Sequence, residues 1–169
     1  AQYFDQHPEY FSLVNGQRVA MQLCLTNPDV LKIVIKELDK KINDAPELKY
    51  WSVSQNDDIG ACECEKCIAL NKKHESYQGS LLTFINQIAA KFPHKTISTL
   101  AYNFSRKPPV GLKPLGNVNI MFSAIDINRS KPLDADPRSE RFRIDFDEWE
   151  KLTSNIIVWD YVVQFTNYI

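Results

Sequence analysis

Hydrophobic and polar positions fall along the chain in blocks that predict alternating strands and helices. Short runs rich in β-branched and aromatic residues predict strands at 19–25, 48–54, 96–102, 117–125 and 155–163. Apolar residues at helical spacing predict helices at 30–43, 81–92 and 138–152, with a further helical turn at 68–73. This order is typical of a parallel sheet covered by helices, which places the chain in the α/β class.

Turn and capping residues mark two of the predicted boundaries. Asn15-Gly16 can close a tight hairpin, because both residue types accept a positive φ. Thr26 or Asn27 can cap the first predicted helix, and Pro28 has the φ that a first helical position needs. The chain is therefore expected to enter its first long helix at Pro28.

The length of the chain suggests a partial barrel. With 169 residues it can form one domain with a core, whereas a complete (β/α)8 TIM barrel needs roughly 250. Predicted strands near both ends would leave sheet edges with unpaired backbone groups, which native domains rarely tolerate. We predict that 1–169 is a single domain, roughly half to two-thirds of a TIM barrel, with the rest of the parent polypeptide as its partner. An open sheet complete in itself, or edges that pair with another copy, are the alternatives.

Composition excludes several classes of partner. The net charge of −1 gives no electrostatic case for nucleic acid or an anionic membrane. No apolar run approaches the ~20 residues of a membrane span. The first residues lack the basic and apolar regions of a signal peptide, so they indicate no compartment. Neither a G-x-S-x-G motif nor a phosphate-binding glycine loop is present.

The stretch KYWSVSQNDDIGACECEKC, residues 49–67, carries most of the candidate chemistry. A predicted strand runs directly into Gln55, Asn56, Asp57 and Asp58. Ligands of parallel α/β folds lie at the carboxyl ends of strands, so this strand end is a candidate site. The alternative is a polar loop with an Asx turn and a structural cysteine cluster.

Acids follow other predicted strands as well. Sugar hydrolysis commonly uses two carboxyl groups, one as proton donor and the other as nucleophile or base. We predict a catalytic set of Asp57, Asp126 and Asp160, and substrate contacts from Gln55, Asn56 and Tyr102. Each Asp could instead be a helix cap or an ion-pair partner. Trp51, Tyr102, Trp159 and Tyr161 offer flat faces for sugars, although the two tryptophans lie within strands and are predicted to be core.

The four cysteines are candidate metal ligands. Cys62, Cys64 and Cys67 are too close together for a disulfide framework spread over a small fold. Cys24 ends the strand before the first helix, on the same side of the predicted sheet. The four thiolates could converge on one zinc ion. Such a site has no open coordination position, so the ion would have a structural role. A disulfide between two of them and four reduced thiols remain alternatives.

Several segments resemble one family. HPEYFSLVNG, QLCLTNPDV, YWSVSQNDDIGACECEKC, TISTLAY with KPP, and VWDYVVQFTNY resemble the domain of unknown function 4838 family, glycoside-hydrolase-like proteins of polysaccharide-degrading bacteria. The resemblance spans nearly the whole chain. It implies a TIM barrel distantly similar to those of α-glucuronidase and β-hexosaminidase. It also implies a larger, secreted, multidomain parent protein in the periplasm or outside the cell.

The resemblance carries over to a few positions only. They are Asn56 and Asp57 in SQND, the four cysteines, and Asp160 in VWDY. No Glu follows Asp57, where hexosaminidase-type barrels have an Asp-Glu pair, so the proton donor stays open. We therefore expect a carbohydrate-active barrel, inactive as this chain alone, because a partial barrel cannot hold both carboxylates. A non-catalytic glycan-binding domain or a zinc-stabilised scaffold is the alternative.

Overall fold

A computed structural model describes residues 3–57 and 60–161. Within these ranges the chain forms four α-helices and six strands. In chain order they are β1 (Phe11–Val14), β2 (Gln17–Leu23), α1 (Pro28–Asp44), β3 (Tyr50–Ser52), α2 (Glu65–Lys73), α3 (Gln78–Ala89), β4 (Thr96–Ala101), β5 (Val118–Ser123), α4 (Glu140–Glu150) and β6 (Ile156–Trp159). The predicted helices are all present, with bounds shifted by a few residues. The last predicted strand is shorter than expected, and 162–163 lie outside the described residues.

The main sheet is parallel and runs in sequence order. Its four strands follow each other as β3, β4, β5 and β6, and each pairs with its neighbour in parallel. The connections between β3 and β4 and between β5 and β6 contain helices, as parallel pairing requires. The α/β prediction is therefore confirmed at this level, and the barrel itself stays a prediction.

The first predicted strand does not join this sheet. β2 instead pairs antiparallel with β1 in a separate two-stranded sheet, so the prediction of five parallel strands is wrong for the described residues. The reason lies in the turn, where Asn15 has φ +49° and Gly16 has φ +77°. Two consecutive positive φ values form the tight turn whose twist suits a hairpin. The hairpin itself is confirmed.

The start of α1 agrees with its sequence signals. Asn27 Oδ1 accepts hydrogen bonds from the backbone N–H groups of Asp29 at 2.9 Å and Val30 at 3.4 Å. Pro28 occupies the first helical position, where a missing N–H costs nothing. This cap fixes where the chain turns away from the hairpin, directly after Cys24.

The apolar core lies between the parallel sheet and helices α1, α3 and α4. Its largest fully buried side chains include Trp149, Phe122, Leu82, Ile85 and Ile88. The indole Nε1 of Trp149 donates to the carbonyl oxygen of Arg106 at 2.8 Å, so this polar group is satisfied inside the core. α4 and the connection after β4 are thereby held together.

Gly79 in α3 marks the closest approach between helices. A Cβ atom at this position would lie 2.4 Å from the backbone oxygen of Leu70 in α2. We expect Gly79→Ala to destabilise the protein by about 1–3 kcal/mol, because two backbones would have to separate. Urea denaturation measures the effect. Gly116→Ala is the matched control, since its Cβ would meet nothing within 4 Å, and equal stability of the two variants would contradict the expectation.

The β6 edge is apolar and exposed. Ile157, Val158 and Trp159 are each between 41% and 45% exposed. The prediction that Trp159 belongs to the core is therefore wrong, because it ends an edge strand with no neighbour on one side among the described residues. Pairing of such edges between copies stays a prediction.

No helix within the described ranges is both long and apolar enough to cross a membrane.

Candidate metal centre and strand-end rim

The four cysteines come together in one cluster. Their Sγ atoms all lie within 4.8 Å of one another, and Cys24, Cys62 and Cys67 are buried. Cys24 directly follows β2, Cys64 occupies the position just before α2, and Cys67 lies in the first turn of α2. A zinc–sulfur bond of about 2.3 Å gives sulfur–sulfur separations of about 3.8 Å in a tetrahedron. The cluster is therefore close to the size that a tetrahedral thiolate site needs.

No disulfide forms within this cluster. All four cysteines are free, and the Sγ atoms of Cys24 and Cys64 are 3.6 Å apart, compared with about 2.05 Å in a disulfide. The structure thus contains none of the disulfides that the sequence leaves open as an alternative. The four free thiols could hold a metal ion.

Hydrogen-bond donors surround the sulfur atoms. Thr26 Oγ1 lies 3.2 Å from the Sγ of Cys67, and the backbone N–H of Leu13 donates to the Sγ of Cys62 at 3.4 Å. Arg18 Nη1 also donates to this sulfur, at 3.9 Å, and to the carbonyl oxygen of Phe11 at 2.6 Å. Such donors stabilise thiolates and orient metal ligands.

The thiols also act on one another. Hydrogen bonds from Cys62 and Cys67 lower the pKa of Cys24, and the same contacts with Cys24 raise the pKa of Cys62 and Cys67. One negative charge on Cys24 therefore disfavours a second charge beside it. A cation in the centre would reverse this penalty, because it would attract all four thiolates.

Four predicted site residues share one edge of the parallel sheet. Asp57 follows β3, Tyr102 follows β4, Asp126 follows β5 and Asp160 follows β6. Because these strands are parallel neighbours, their carboxyl ends all lie along the same side of the sheet. We call these four residues the rim. Asp58, which follows Asp57, lies outside the described residues.

Each rim acid has a partner. The Asp57 carboxylate lies beside Tyr102 and raises the pKa of the Tyr102 phenol. Asp126 pairs with Arg106, and Asp160 lies 3.6 Å from Arg129, measured from Oδ1 to Nε. The Asp126 and Asp160 side chains are still about 60% and 57% exposed. The rim acids are thus anchored on one side and accessible on the other.

Aromatic rings flank these acids. The ring centroid of Trp159 lies 6.4 Å from that of Tyr102 and 5.4 Å from that of Tyr161. Trp159 and Tyr161 are nearly parallel, with 18° between their planes, and the Arg129 guanidinium lies 5.4 Å from the Tyr161 centroid. Flat apolar faces and carboxylates therefore occur at the same sheet edge.

The two predicted substrate amides make contacts inside the protein. Gln55 Nε2 donates to the carbonyl oxygen of Tyr102 at 3.1 Å and to Ser105 Oγ at 2.7 Å. Asn56 Nδ2 donates to the carbonyl oxygen of Met21 at 2.5 Å. Both side chains thereby fix the chain after β3, and a role in binding substrate stays a prediction.

The charged network behind the rim was not predicted from the sequence. Arg106 contacts both Asp126 and the buried Asp145, whose Oδ2 lies 3.1 Å from Arg106 Nε. Arg141 Nη2 approaches Asp145 Oδ1 to 2.7 Å. A signal was available, because Asp145 falls beside Phe142 on the apolar face of the predicted helix.

Comparisons with known proteins give one family and two structures of a single enzyme with low similarity to this chain. A search of curated proteins found no match. A variant of the GH36 alpha-galactosidase AgaA from Geobacillus stearothermophilus, in complex with 1-deoxygalactonojirimycin, is 10% identical, with a TM-score of 0.39 over 89% of this chain and 29% of that chain. Another AgaA variant, in complex with raffinose, is 11% identical, with a TM-score of 0.40 over 98% of this chain and 27% of that chain. This chain spans less than a third of either structure.

The family comparison covers the whole sequence. The profile described as "Domain of unknown function (DUF4838)" matches residues 1–169. It includes the hairpin, the cysteine cluster and the rim. The chain therefore belongs to the DUF4838 family.

Proposed function

We propose that the four cysteines bind one zinc ion in a structural centre. The observation that carries the proposal is the convergence of four Sγ atoms, from two separate parts of the chain, within 4.8 Å of one another. Zinc bound by four thiolates has no open position, so the ion would stabilise the fold and take no part in chemistry. The net charge of such a centre is about −2, which the guanidinium of Arg18 would partly balance.

The packing around the cluster supports this role. Cys24, Cys62 and Cys67 are themselves the buried residues of a small cluster between the hairpin and α2, with Leu13 and Cys64 packed against it. Three thiols and their neighbours bury little apolar surface, so the hairpin has little hydrophobic stabilisation of its own at this contact. Small structural units of this kind commonly depend on a metal ion.

Metal analysis tests the zinc proposal. We expect the purified full-length protein to retain about one zinc ion per chain, and cobalt(II) substitution to give the thiolate charge-transfer bands of a tetrahedral site. Cys64→Ser should reduce both signals, whereas Ser130→Ala, an exposed loop substitution, should not. A wild-type protein that retains no metal after equilibration with zinc would exclude the proposal.

We infer a second function, that the rim contributes to a carbohydrate site. The specific observation is the exposed Trp159 beside Tyr102 and Tyr161, at the edge where Asp57 and Asp160 also lie. Sugars offer apolar faces for aromatic rings and hydroxyl groups for carboxylates, and a binding site combines such groups in one place. In this proposal the three rim acids supply the carboxyl groups of glycoside hydrolysis, with Gln55 and Asn56 fixing the loop or contacting the sugar.

Binding and turnover distinguish the two forms of the carbohydrate proposal. In the full-length parent protein, we expect Trp159→Ala to weaken oligosaccharide binding about tenfold, a loss of about 1.4 kcal/mol. Tyr50→Ala is the control. This exposed ring begins β3, so it lies at the amino ends of the strands, away from the rim at their carboxyl ends. Equal affinities of the two variants would argue against the rim. If Asp57→Asn keeps binding and loses turnover, the domain is catalytic, whereas wild-type binding without turnover indicates a glycan-binding domain.

A further inference from the structure

We propose that metal binding at the four cysteines positions the rim acid Asp57, so that the thiolate centre and the rim form one coupled unit. The inference rests on the zinc function proposed above and extends it to the geometry of the rim. It assigns the hairpin β1–β2 as the connection, and Gln22 as the positioning residue between the centre and the rim.

The first step runs from β2 to the segment that leads to Asp57. The Gln22 side chain accepts a hydrogen bond from the backbone N–H of Asn56 at 3.0 Å and donates to its carbonyl oxygen at 2.9 Å. The carbonyl oxygen of the neighbouring Met21 accepts from the Asn56 side chain. Three hydrogen bonds thus fasten the residue next to Asp57 to β2.

The second step runs from β2 to the cysteines. Cys24 follows the last residue of β2, and its backbone N–H donates to the carbonyl oxygen of Tyr10 at 2.8 Å. Only one residue separates Cys24 from Gln22. A metal ion that fixes the Cys24 sulfur would therefore also fix the end of the strand that holds Asn56.

The third step ties the other hairpin strand to the same centre. The backbone N–H of Glu63 donates to the carbonyl oxygen of Leu13 at 2.8 Å, and the backbone N–H of Asn15 donates to Glu63 Oε2 at 2.8 Å. Leu13 also donates to the sulfur of Cys62. Both strands of the hairpin are thus attached to metal-ligand segments, which makes the hairpin the body that metal loss would release.

The last step connects the segment to the rim. Gln55 Nε2 donates to the Tyr102 carbonyl oxygen and to Ser105 Oγ, which holds the chain next to Tyr102. The nearby Asp57 carboxylate raises the pKa of the Tyr102 phenol. A shift of residues 55–57 relative to β4 would break this contact and turn one rim acid away from the others. Rim geometry would therefore depend on an ion that takes no part in the chemistry.

Hydrogen exchange tests the coupling in the full-length protein. We expect amides in 53–57, above all that of Asn56, to exchange about tenfold faster after zinc is removed by a chelator. The reason is that Gln22 of the released hairpin accepts the hydrogen bond of the Asn56 amide. Amides of β5 should remain protected, which shows that the sheet is still folded. The Tyr102 phenol, identified by comparison with Tyr102→Phe, should titrate at a lower pH once Asp57 has moved away.

A variant isolates the connection from the metal itself. Gln22→Leu should leave zinc content unchanged, while amides in 53–57 exchange faster even in the zinc-loaded protein. If zinc binds and neither chelation nor Gln22→Leu changes exchange in 53–57, the coupling is wrong and the zinc proposal stands. If no zinc binds, the zinc proposal and the coupling both fail. If exchange responds but no sugar binds, only the carbohydrate proposal fails.

Discussion

Removal of the proposed zinc ion is expected to lower the melting temperature of the protein by about 10 °C. Apparent binding free energies of structural zinc reach about 10–16 kcal/mol in small peptides, and part of that free energy is stability of the fold. A loss of about 3–5 kcal/mol corresponds to roughly 10 °C for a domain of this size. The loss should be large here because the buried contact between the hairpin and α2 consists mainly of the ligands themselves.

Thermal unfolding with and without a chelator measures this effect. The wild-type melting temperature should fall on chelation and recover when zinc is added back. Cys67→Ser should melt at the lower temperature in both conditions, because it removes one of the four buried metal-ligand candidates. The stabilisation by zinc should weaken as the pH falls, since protons compete with the metal for thiolates. A wild-type melt that does not respond to chelation would refute the expectation.

The cysteine cluster shows what local sequence can predict. Three cysteines in C-x-C-x-x-C must lie close together, and Cys24 precedes a helix whose start is fixed by Asn27 and Pro28. These features limit the reach of each sulfur without any knowledge of distant pairing. The hairpin turn is equally local, because Asn15-Gly16 determines it.

Long-range partners could not be predicted in the same way. The alternation of residues in 19–25 indicates a strand and contains no information about its neighbour, so β2 was assigned to the wrong sheet. Exposure of Trp159 depends on β6 being an edge, which is a property of the whole sheet. The pairing of Arg106 with Asp145 joins residues 39 apart in sequence, and composition and periodicity do not report such pairs.

Asp145→Ala is expected to destabilise the protein by about 3–5 kcal/mol. The Asp145 carboxylate is 1% exposed and lies between Arg106 and Arg141, at 3.1 Å and 2.7 Å. Its loss would leave the Arg106 guanidinium, whose side chain is 16% exposed, without its buried partner, and an uncompensated buried charge is costly. Urea denaturation with an unchanged m-value measures this loss directly.

Asp147→Ala is the matched control for this prediction, since Asp147 lies on the exposed side of the same helix. It should change stability by less than about 0.5 kcal/mol. Asp145→Asn keeps an acceptor for Arg106 and removes the charge, so its loss should be intermediate. Because Arg106 also holds Asp126, both Asp145 variants should weaken any carbohydrate binding at the rim beyond what Asp147→Ala does. Equal stability of Asp145→Ala and Asp147→Ala would mean that the buried Arg106–Asp145 pair contributes nothing to stability. Arg106 would then be oriented only by its contact with Asp126 and by the hydrogen bond from the Trp149 indole to its carbonyl oxygen.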